Sequence, residues 1–186
     1  NFLLGNKAEA IAKENNILFS VNWVEGQKTG FFLDQRENRK LLGEFSKGKK
    51  VLNTFCYTGG FSIYAMSAGA ELVTSVDISQ KAVDLAASNM ELNFPNTNHK
   101  AVADDVFNFI IEHTQQYDVI VLDPPAFAKS IKSKHTATQA YKRLNIAGLK
   151  ALAPNGILFT FSCSQVIDDV LFYNTIAAAA IETGRN

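Results

Sequence analysis

Short apolar runs alternate with amphipathic stretches over most of the chain beyond Lys50. Val51 to Thr54, Leu72 to Val76, Tyr117 to Leu122 and Ile157 to Phe161 read as strands, and His99 to Ala103 as a weaker one. Between them the spacing predicts helices over Phe61–Ala68, stopped by Gly69, and over Gln80–Asn93, capped by Ser79. Further helices are expected from about Asp105 to Thr114, from about Gln139 to Leu152 after a polar stretch Lys129–Thr138, and from Val166 to Thr183. Pro154-Asn155-Gly156 is expected to turn the chain before the last strand. Strands that are apolar on both faces and alternate with helices imply a parallel sheet covered on both sides. The expected fold class is α/β, a three-layer Rossmann-like sandwich with a mostly parallel sheet.

The first 50 residues follow a different pattern. Lys7–Asn15 (KAEAIAKEN) reads as a short helix. Ile17–Val24 alternates apolar and polar positions, Glu25–Gly30 is turn-like, and Phe31-Phe32-Leu33 is a second short strand, together an N-terminal β-hairpin. Asp34 is placed to cap a helix through the Arg36–Phe45 region, with Gly48 near its end. The expected division is a linking region over 1–48 and a catalytic domain over 49–186.

Composition narrows the classes. The chain has 186 residues, 47% hydrophobic and 19% charged, enough for one domain with a full core. Lys+Arg and Asp+Glu balance at 18 each, which argues against this piece alone gripping a long polyanion. Cys56 and Cys163 are too few for a disulfide scaffold and fit a reducing, cytoplasmic setting. No apolar run reaches the roughly 18 residues of a membrane span. No metal site is expected. The chain opens on Asn1, so a fragment of a longer protein is expected.

In such sheets ligands bind beyond the carboxyl ends of the strands. The first core strand runs into Phe55-Cys56-Tyr57-Thr58-Gly59-Gly60, where small residues and a helix N-terminus let a ligand approach the backbone. The second ends in Asp77-Ile78, where a carboxylate can accept both hydroxyls of a ribose. The bland alternative is a tight turn followed by a helix cap. A dinucleotide site would need G-x-G-x-x-G for its pyrophosphate, and this loop has only one glycine pair. S-adenosylmethionine (SAM) has no pyrophosphate, so one short turn suffices. Asp104-Asp105 follows the third strand and could meet an adenine amino group, although for Asp105 a helix cap is the expected role.

The fourth strand ends in Asp123-Pro124-Pro125-Ala126-Phe127. Two prolines fix φ and remove two N–H donors, making a rigid carbonyl-lined ledge. A carboxylate there can bind a base edge or move a proton. The fifth strand ends in Phe161-Ser162-Cys163-Ser164. If it neighbours the fourth, Cys163 and Asp123 face one pocket. A thiolate could then attack C6 of a cytosine and make C5 nucleophilic toward a methyl donor. The alternative for Cys163 is a buried small hydrophobe. Cys56, in the cofactor loop, reads as packing.

Five segments carry a family likeness: QKTGFFLDQRENR (Gln27–Arg39), LNTFCYTGGFSIYA (Leu52–Ala65), VDIS (Val76–Ser79), LDPPAFAK (Leu122–Lys129) and TFSCS (Thr160–Ser164). From about Asn15 to Arg185 the chain resembles the bacterial 23S rRNA large-subunit 5-methylcytosine methyltransferases, class I SAM-dependent enzymes. The KTGFFLDQR and SCS segments are specific, whereas many methyltransferases share the glycine loop. The resemblance implies that the loop Phe55–Gly59, with Tyr57 and Thr58, together with Asp77 and Asp104 holds SAM; Ile78 and Asp105 beside them are further cofactor-site candidates, with Asp123 at the edge. It implies that Pro124, Pro125 and Phe127 line the base site and that Lys28, Thr29 and Arg36 lie nearby on the substrate side. Cys163 would be the nucleophile and Asp123 its catalytic partner. The implied partner is RNA, namely 23S rRNA, bound partly by an N-terminal PUA domain beyond this chain. A closing antiparallel hairpin would follow Asn186.

Rival readings weigh less. A 7-methylguanine enzyme sharing the DPP ledge needs no cysteine. An amino-group methyltransferase places an aromatic directly after the two prolines, where this chain has Ala126. A non-catalytic SAM- or RNA-binding domain predicts that replacing Cys163 is harmless. A dehydrogenase lacks its pyrophosphate fingerprint here.

Overall fold

A computed structural model describes residues 8–24, 26, 30–128 and 130–185. The first described elements form an antiparallel hairpin, β1 (Glu9–Glu14) against β2 (Ile17–Asn22). The expected helix over Lys7–Asn15 is therefore corrected to a strand. Its Ala, Glu and Lys residues favour helix, but that preference is weak beside the turn that follows. Asn15 and Asn16 stand at φ 49° and 67°, the left-handed pair of a two-residue hairpin turn.

The hairpin's composition also differs from expectation, since Phe31-Phe32-Leu33 is not a strand. Leu33–Gln35 is a single 3-10 turn, and much of the expected Glu25–Gly30 turn lies outside the described residues. The physical reason is that the second edge of β2 is already taken. The backbone N–H groups of Leu18 and Ser20 donate to Asn93 Oδ1 (2.8 Å) and Asn89 Oδ1 (2.7 Å), and Asn93 Nδ2 donates to the Leu18 carbonyl (2.7 Å). Two asparagines one helical turn apart thus stand in for a neighbouring strand.

Helix α1 (Arg36–Glu44) follows. Asp34 does not cap it; Gln35 occupies the N-cap without a side-chain cap bond, and Asp34 belongs to the 3-10 turn. The core sheet contains β3 (Lys50–Thr54), β4 (Leu72–Asp77), β5 (His99–Ala103), β6 (Tyr117–Leu122) and β7 (Leu152–Thr160). Their order is β5-β4-β3-β6-β7, every neighbouring pair parallel. The order reverses between β3 and β6, the switch point where such sheets bind ligands.

Helices α2 (Gly60–Ser67), α3 (Gln80–Asn93), α4 (Val106–Glu112), α5 (Lys134–Ala151) and α6 (Asp169–Thr183) complete the layers. Strand residues alternate strictly between two cores, as a period of two requires. Val51, Val73, Val119 and Val121 pack with Leu42, Ile63, Tyr64 and Met90 beneath α1, α2 and α3. Leu52, Val76, Ile120 and Leu122 pack with Phe109, Leu144, Leu149 and Ala179 beneath α4, α5 and α6. Ile17, Phe19 and Val21 of β2 join the first core, so the hairpin packs directly onto the sandwich.

Three element boundaries shift from expectation. Helix α5 starts at Lys134 rather than near Gln139, because Ala137, Tyr141 and Leu144 already form its buried stripe. Pro154-Asn155-Gly156 lies within β7 as an irregularity opposite Tyr117–Val119, with Asn155 at φ 62°. A side chain at Gly156 would meet the Asp118 carbonyl oxygen at 2.9 Å. Helix α6 begins at Asp169 rather than Val166, because the Asp168 carboxylate accepts from the Leu171 N–H at 2.9 Å and sets the start.

Candidate active site

The loop from β3 to α2 is the most strained described segment near the switch point. Phe55 (φ 53°) and Tyr57 (φ 45°) both hold left-handed backbone, a conformation that bulky residues keep only where their surroundings enforce it. The enforcement is visible. Cys56 N–H donates to the Val76 carbonyl (3.1 Å), and Asn89 Nδ2 donates to the Thr58 carbonyl (3.1 Å). Gly59 (φ 75°) is the N-cap of α2, where a side chain would meet Ala86 of α3 at 3.0 Å.

Asp77, at the end of β4, is held by this loop and holds it in turn. Its Oδ2 accepts from the Tyr57 N–H (3.2 Å) and its Oδ1 from the Ser79 N–H (3.0 Å). A carboxylate oxygen has two lone pairs, so each oxygen keeps one to offer a ribose hydroxyl. Ile78, 76% exposed, presents a flat apolar surface beside it.

Beyond β6 the chain turns at Asp123-Pro124-Pro125, and beyond β7 it reaches Cys163. Because β6 and β7 are neighbours, the two turns meet, as the conditional expectation required. The Cys163 thiol donates to the Pro124 carbonyl oxygen at 3.7 Å and is exposed. From the other side, Gln35 Nε2 reaches both oxygens of Asp123 at 3.4 Å.

These groups surround one cavity of about 360 Å³, within the usual range for small-molecule sites. Of the expected site residues, Phe55, Tyr57, Thr58, Asp77, Ile78, Asp123, Pro124, Pro125 and Cys163 line it. Gly59, the N-cap of α2 packed on Ala86, does not line it. Asp104 and Asp105 do not line it: Asp104 Oδ1 accepts from the Asp105 N–H (2.7 Å), and Asp105 caps α4 by accepting from Asn108 N–H (3.0 Å). Phe127 packs on the buried Tyr141 ring (centroids 4.7 Å). Arg36 is half-exposed and donates to Asn15 Oδ1 (3.0 Å), outside the lining. Lys28 and Thr29 lie outside the described residues.

The sequence reading missed one wall. Phe31, Phe32, Gln35 and Arg39 line the cavity from the segment leading into α1. Arg39 was detectable in principle, since a basic residue one turn from Gln35 and Arg36 lies toward the core face with Leu42. It is 3% exposed and pairs with Glu14, itself buried, at 2.8 Å. Arg39 Nη1 also donates to the Phe32 carbonyl (2.8 Å), which fixes the aromatic wall.

The two thiols differ sharply. Cys56 is buried, and burial followed by the charge of Asp77 pushes its pKa far up, so it stays protonated and inert. A smaller cavity of about 170 Å³ adjoins the first across Tyr57 and Ser79 and is bounded also by Asn22, Lys81 and Leu85. Among the described residues no cluster of His, Cys, Asp and Glu could hold a metal ion, and no helix is long and apolar enough to cross a membrane.

The donor set fits SAM better than a dinucleotide. Asp77 offers two ribose acceptors, Ile78 an apolar face, and the loop before α2 a short polar turn without a pyrophosphate cradle. Comparison with known proteins agrees. The family model for S-adenosylmethionine-dependent methyltransferases matches residues 1–182. The Ribosomal RNA large subunit methyltransferase I of Aeromonas hydrophila is 44% identical over 180 residues, 95% of this chain and 45% of that protein. Its namesake in Vibrio vulnificus is 43% identical over 182 residues, 95% of this chain and 46% of that protein. The chain thus spans about half the length of the curated relatives it matches. A candidate methyltransferase solved in complex with SAH superposes with a TM-score of 0.84 at 31% identity, covering 96% of this chain and 48% of that one. A SAM-dependent methyltransferase from Agrobacterium tumefaciens shares the fold at 22% identity, with a TM-score of 0.77 over 96% of this chain and 60% of its own. The chain therefore belongs to the S-adenosylmethionine-dependent methyltransferase family, with SAM as its cofactor.

Proposed function

We propose that this chain is the catalytic domain of an RNA methyltransferase that methylates C5 of a cytosine in large-subunit rRNA. One observation carries the reading: Cys163, Asp123 and the Phe55–Thr58 loop share the walls of a single cavity. The names of the relatives support large-subunit rRNA as the substrate class. In this reading residues 1–48 form the end of a linking region, and their Phe31, Phe32 and Gln35 shape the base side of the cavity.

When bound, SAM supplies an electrophilic methyl group. Asp77 would hold its ribose through the two lone pairs left free by Tyr57 and Ser79. The loop before α2 would receive its amino-acid end, and Ile78 would lie against its adenine. Resting cytosine C5 is a poor nucleophile, so the protein must activate it. As a thiolate, Cys163 forms an Sγ–C6 bond, and the electron pair of the C5=C6 bond moves toward C5 and N3. C5 could then form a bond to the methyl carbon as that carbon's bond to the sulfonium sulfur breaks, leaving SAH. A base takes the C5 proton, its electron pair re-forms C5=C6, and the Sγ–C6 bond breaks to release the thiolate. The rigid ledge Pro124-Pro125 keeps the thiol and Asp123 at fixed separation during these steps. The target base must be unpaired or flipped, since a stacked ring hides C6.

The test uses the full-length protein that carries this chain. It is incubated with tritiated SAM and unmodified large-subunit rRNA, the RNA is digested, and the labelled nucleoside is identified. Label in 5-methylcytidine that disappears with Cys163→Ala supports the reading. Label in another nucleoside, or undiminished label with Cys163→Ala, rejects it.

A further inference from the structure

We infer that Gln35, oriented by Asn38, reads the target base together with Asp123 and selects cytosine over uracil. The inference rests on the cytosine reading above and adds a residue that none of its steps uses.

The Gln35 side chain is fixed from two sides. Its Oε1 accepts from Asn38 Nδ2 at 2.7 Å, one turn along α1. Its Nε2 donates toward Asp123, 3.4 Å from each carboxylate oxygen. An ionised carboxylate only accepts, so the amide nitrogen must face it and the amide oxygen must face Asn38. The cavity therefore presents a definite pair side by side, an acceptor on Asp123 and a donor on Gln35. Both residues line it with Cys163, Phe32 and Pro125.

That pair matches one pyrimidine. Cytosine offers the amino group at C4 as donor and N3 as acceptor, so the amino group meets Asp123 and N3 meets the Gln35 amide. Uracil offers the reverse, a carbonyl at C4 and an N3–H. Its carbonyl would face a carboxylate and its N3–H an amide N–H, two repulsive contacts. A site built to pair with one hydrogen-bonding edge rejects the reversed edge strongly, because its own polar groups are left unpaired. Adenine carries the same pair as cytosine, so excluding purines falls to Cys163, which needs a pyrimidine C6.

The same contact helps the chemistry. Attack of the thiolate at C6 moves negative charge onto N3, where the Gln35 N–H is already aimed. Asp123 then serves the amino group.

The test again uses the full-length protein, with synthetic rRNA segments containing the nucleotide labelled by the wild type. Gln35→Glu keeps the shape and replaces the donor with an acceptor. Asn38→Asp lies one step removed and replaces the donor that holds Gln35 Oε1 with a second acceptor, which competes with Asp123 for Nε2 and draws the donor away from the base. Each is expected to lower kcat/KM for the cytidine substrate roughly 10- to 100-fold, with the dissociation constant for SAM unchanged by calorimetry. For Gln35→Glu, the variant-to-wild-type rate ratio should rise as pH falls from about 8 to about 6, as the new carboxylate gains a proton and becomes a donor. Unchanged kcat/KM, a parallel loss of SAM affinity, or a rate ratio flat with pH would each overturn the assignment. Wild-type label in a nucleoside other than 5-methylcytidine overturns the parent reading too, and it appears before any variant is compared.

Discussion

The Cys163 thiol donates to the Pro124 carbonyl oxygen at 3.7 Å, joining the turns that follow β7 and β6. The next residue reinforces the joint. Ser164 Oγ accepts from the Ala128 N–H (3.4 Å) and shares a hydrogen bond with the Tyr141 hydroxyl (3.0 Å). Tyr141 is 1% exposed and packs its ring against Phe127 and Phe172. The thiol is thus exposed while its backbone is anchored to the core through Ser164, a combination suited to a nucleophile that must be reached yet held in place.

Tyr141→Phe removes the hydroxyl and keeps the ring packing. Without its partner, Ser164 loosens the turn that carries Cys163. The expected result is kcat lowered several-fold, with SAM affinity unchanged and stability down by about 1 kcal/mol. Single-turnover kinetics beside calorimetric SAM titration checks this. A kcat equal to wild type would show that the anchor does not matter for turnover.

Cys56→Ala should leave methyl transfer within about two-fold of wild type, because the buried thiol is held protonated by burial and by Asp77. Its cost should appear in stability, about 1 kcal/mol for a small void in the loop. Treatment with a thiol-alkylating reagent offers a second check: labelling should fall on Cys163 and inactivate, while Cys56 stays unlabelled in the folded protein.

Asp77→Ala deletes both proposed ribose acceptors, the tie to the β3–α2 loop at the Tyr57 N–H and the local bond to the Ser79 N–H. SAM binding is expected to weaken by about 1–3 kcal/mol. An unchanged dissociation constant by calorimetry would remove the ribose assignment.

Much of this arrangement was legible in the sequence for a definite reason. Val51-Leu52, Val119-Ile120 and Val121-Leu122 alternate between two apolar cores, which only a sheet covered on both faces demands, and Ser79 and Asp105 mark helix starts by local bonds. The strand ends carrying Asp77, Asp123 and Cys163 followed from that. What was not legible depends on contacts between distant segments. The Ala- and Glu-rich stretch before Asn15 became a strand because of its turn and of pairing to β2. Asn89 and Asn93 look like ordinary surface positions of α3 until β2 is laid against them. Gln35 sits 88 residues from Asp123, so nothing local reveals their meeting.

The hairpin and α1 are locked by Glu14 and Arg39. Arg39 Nη2 donates to both Glu14 oxygens at 2.8 Å, the Tyr64 hydroxyl donates to Glu14 Oε1 at 2.9 Å, and the guanidinium lies 4.6 Å from the Phe31 ring centroid. Glu14→Gln would strand a buried cation, at an expected cost of about 3–5 kcal/mol. Arg39→Met with Glu14→Gln should cost less than the sum of the two single changes, because neither partner is then left charged and alone. Urea unfolding of all four proteins measures the coupling; strict additivity would mean that the pair does not act as a unit.

His99 gives the fold a pH dependence of predictable sign. Its Nε2 shares a hydrogen bond with Ser75 Oγ (2.8 Å), and Ser75 bonds in turn to Ser62, which accepts from Asn53. Burial lowers the His99 pKa from 6.5 to about 4. Below about 6.5 the unfolded chain therefore takes up a proton that the folded chain refuses, so the unfolded state gains relative to the folded one. The contribution of His99 to stability is full above about pH 6.5 and is lost as pH falls toward about 4, below which both states are protonated and the dependence flattens. His99→Gln has no ring to protonate. The stability gap between wild type and variant, measured by urea unfolding at about pH 7 and about pH 4.5, should therefore narrow at the lower pH. A gap of constant size would mean that the imidazole titrates alike in both states and that its burial does not govern the acid sensitivity of this sheet edge.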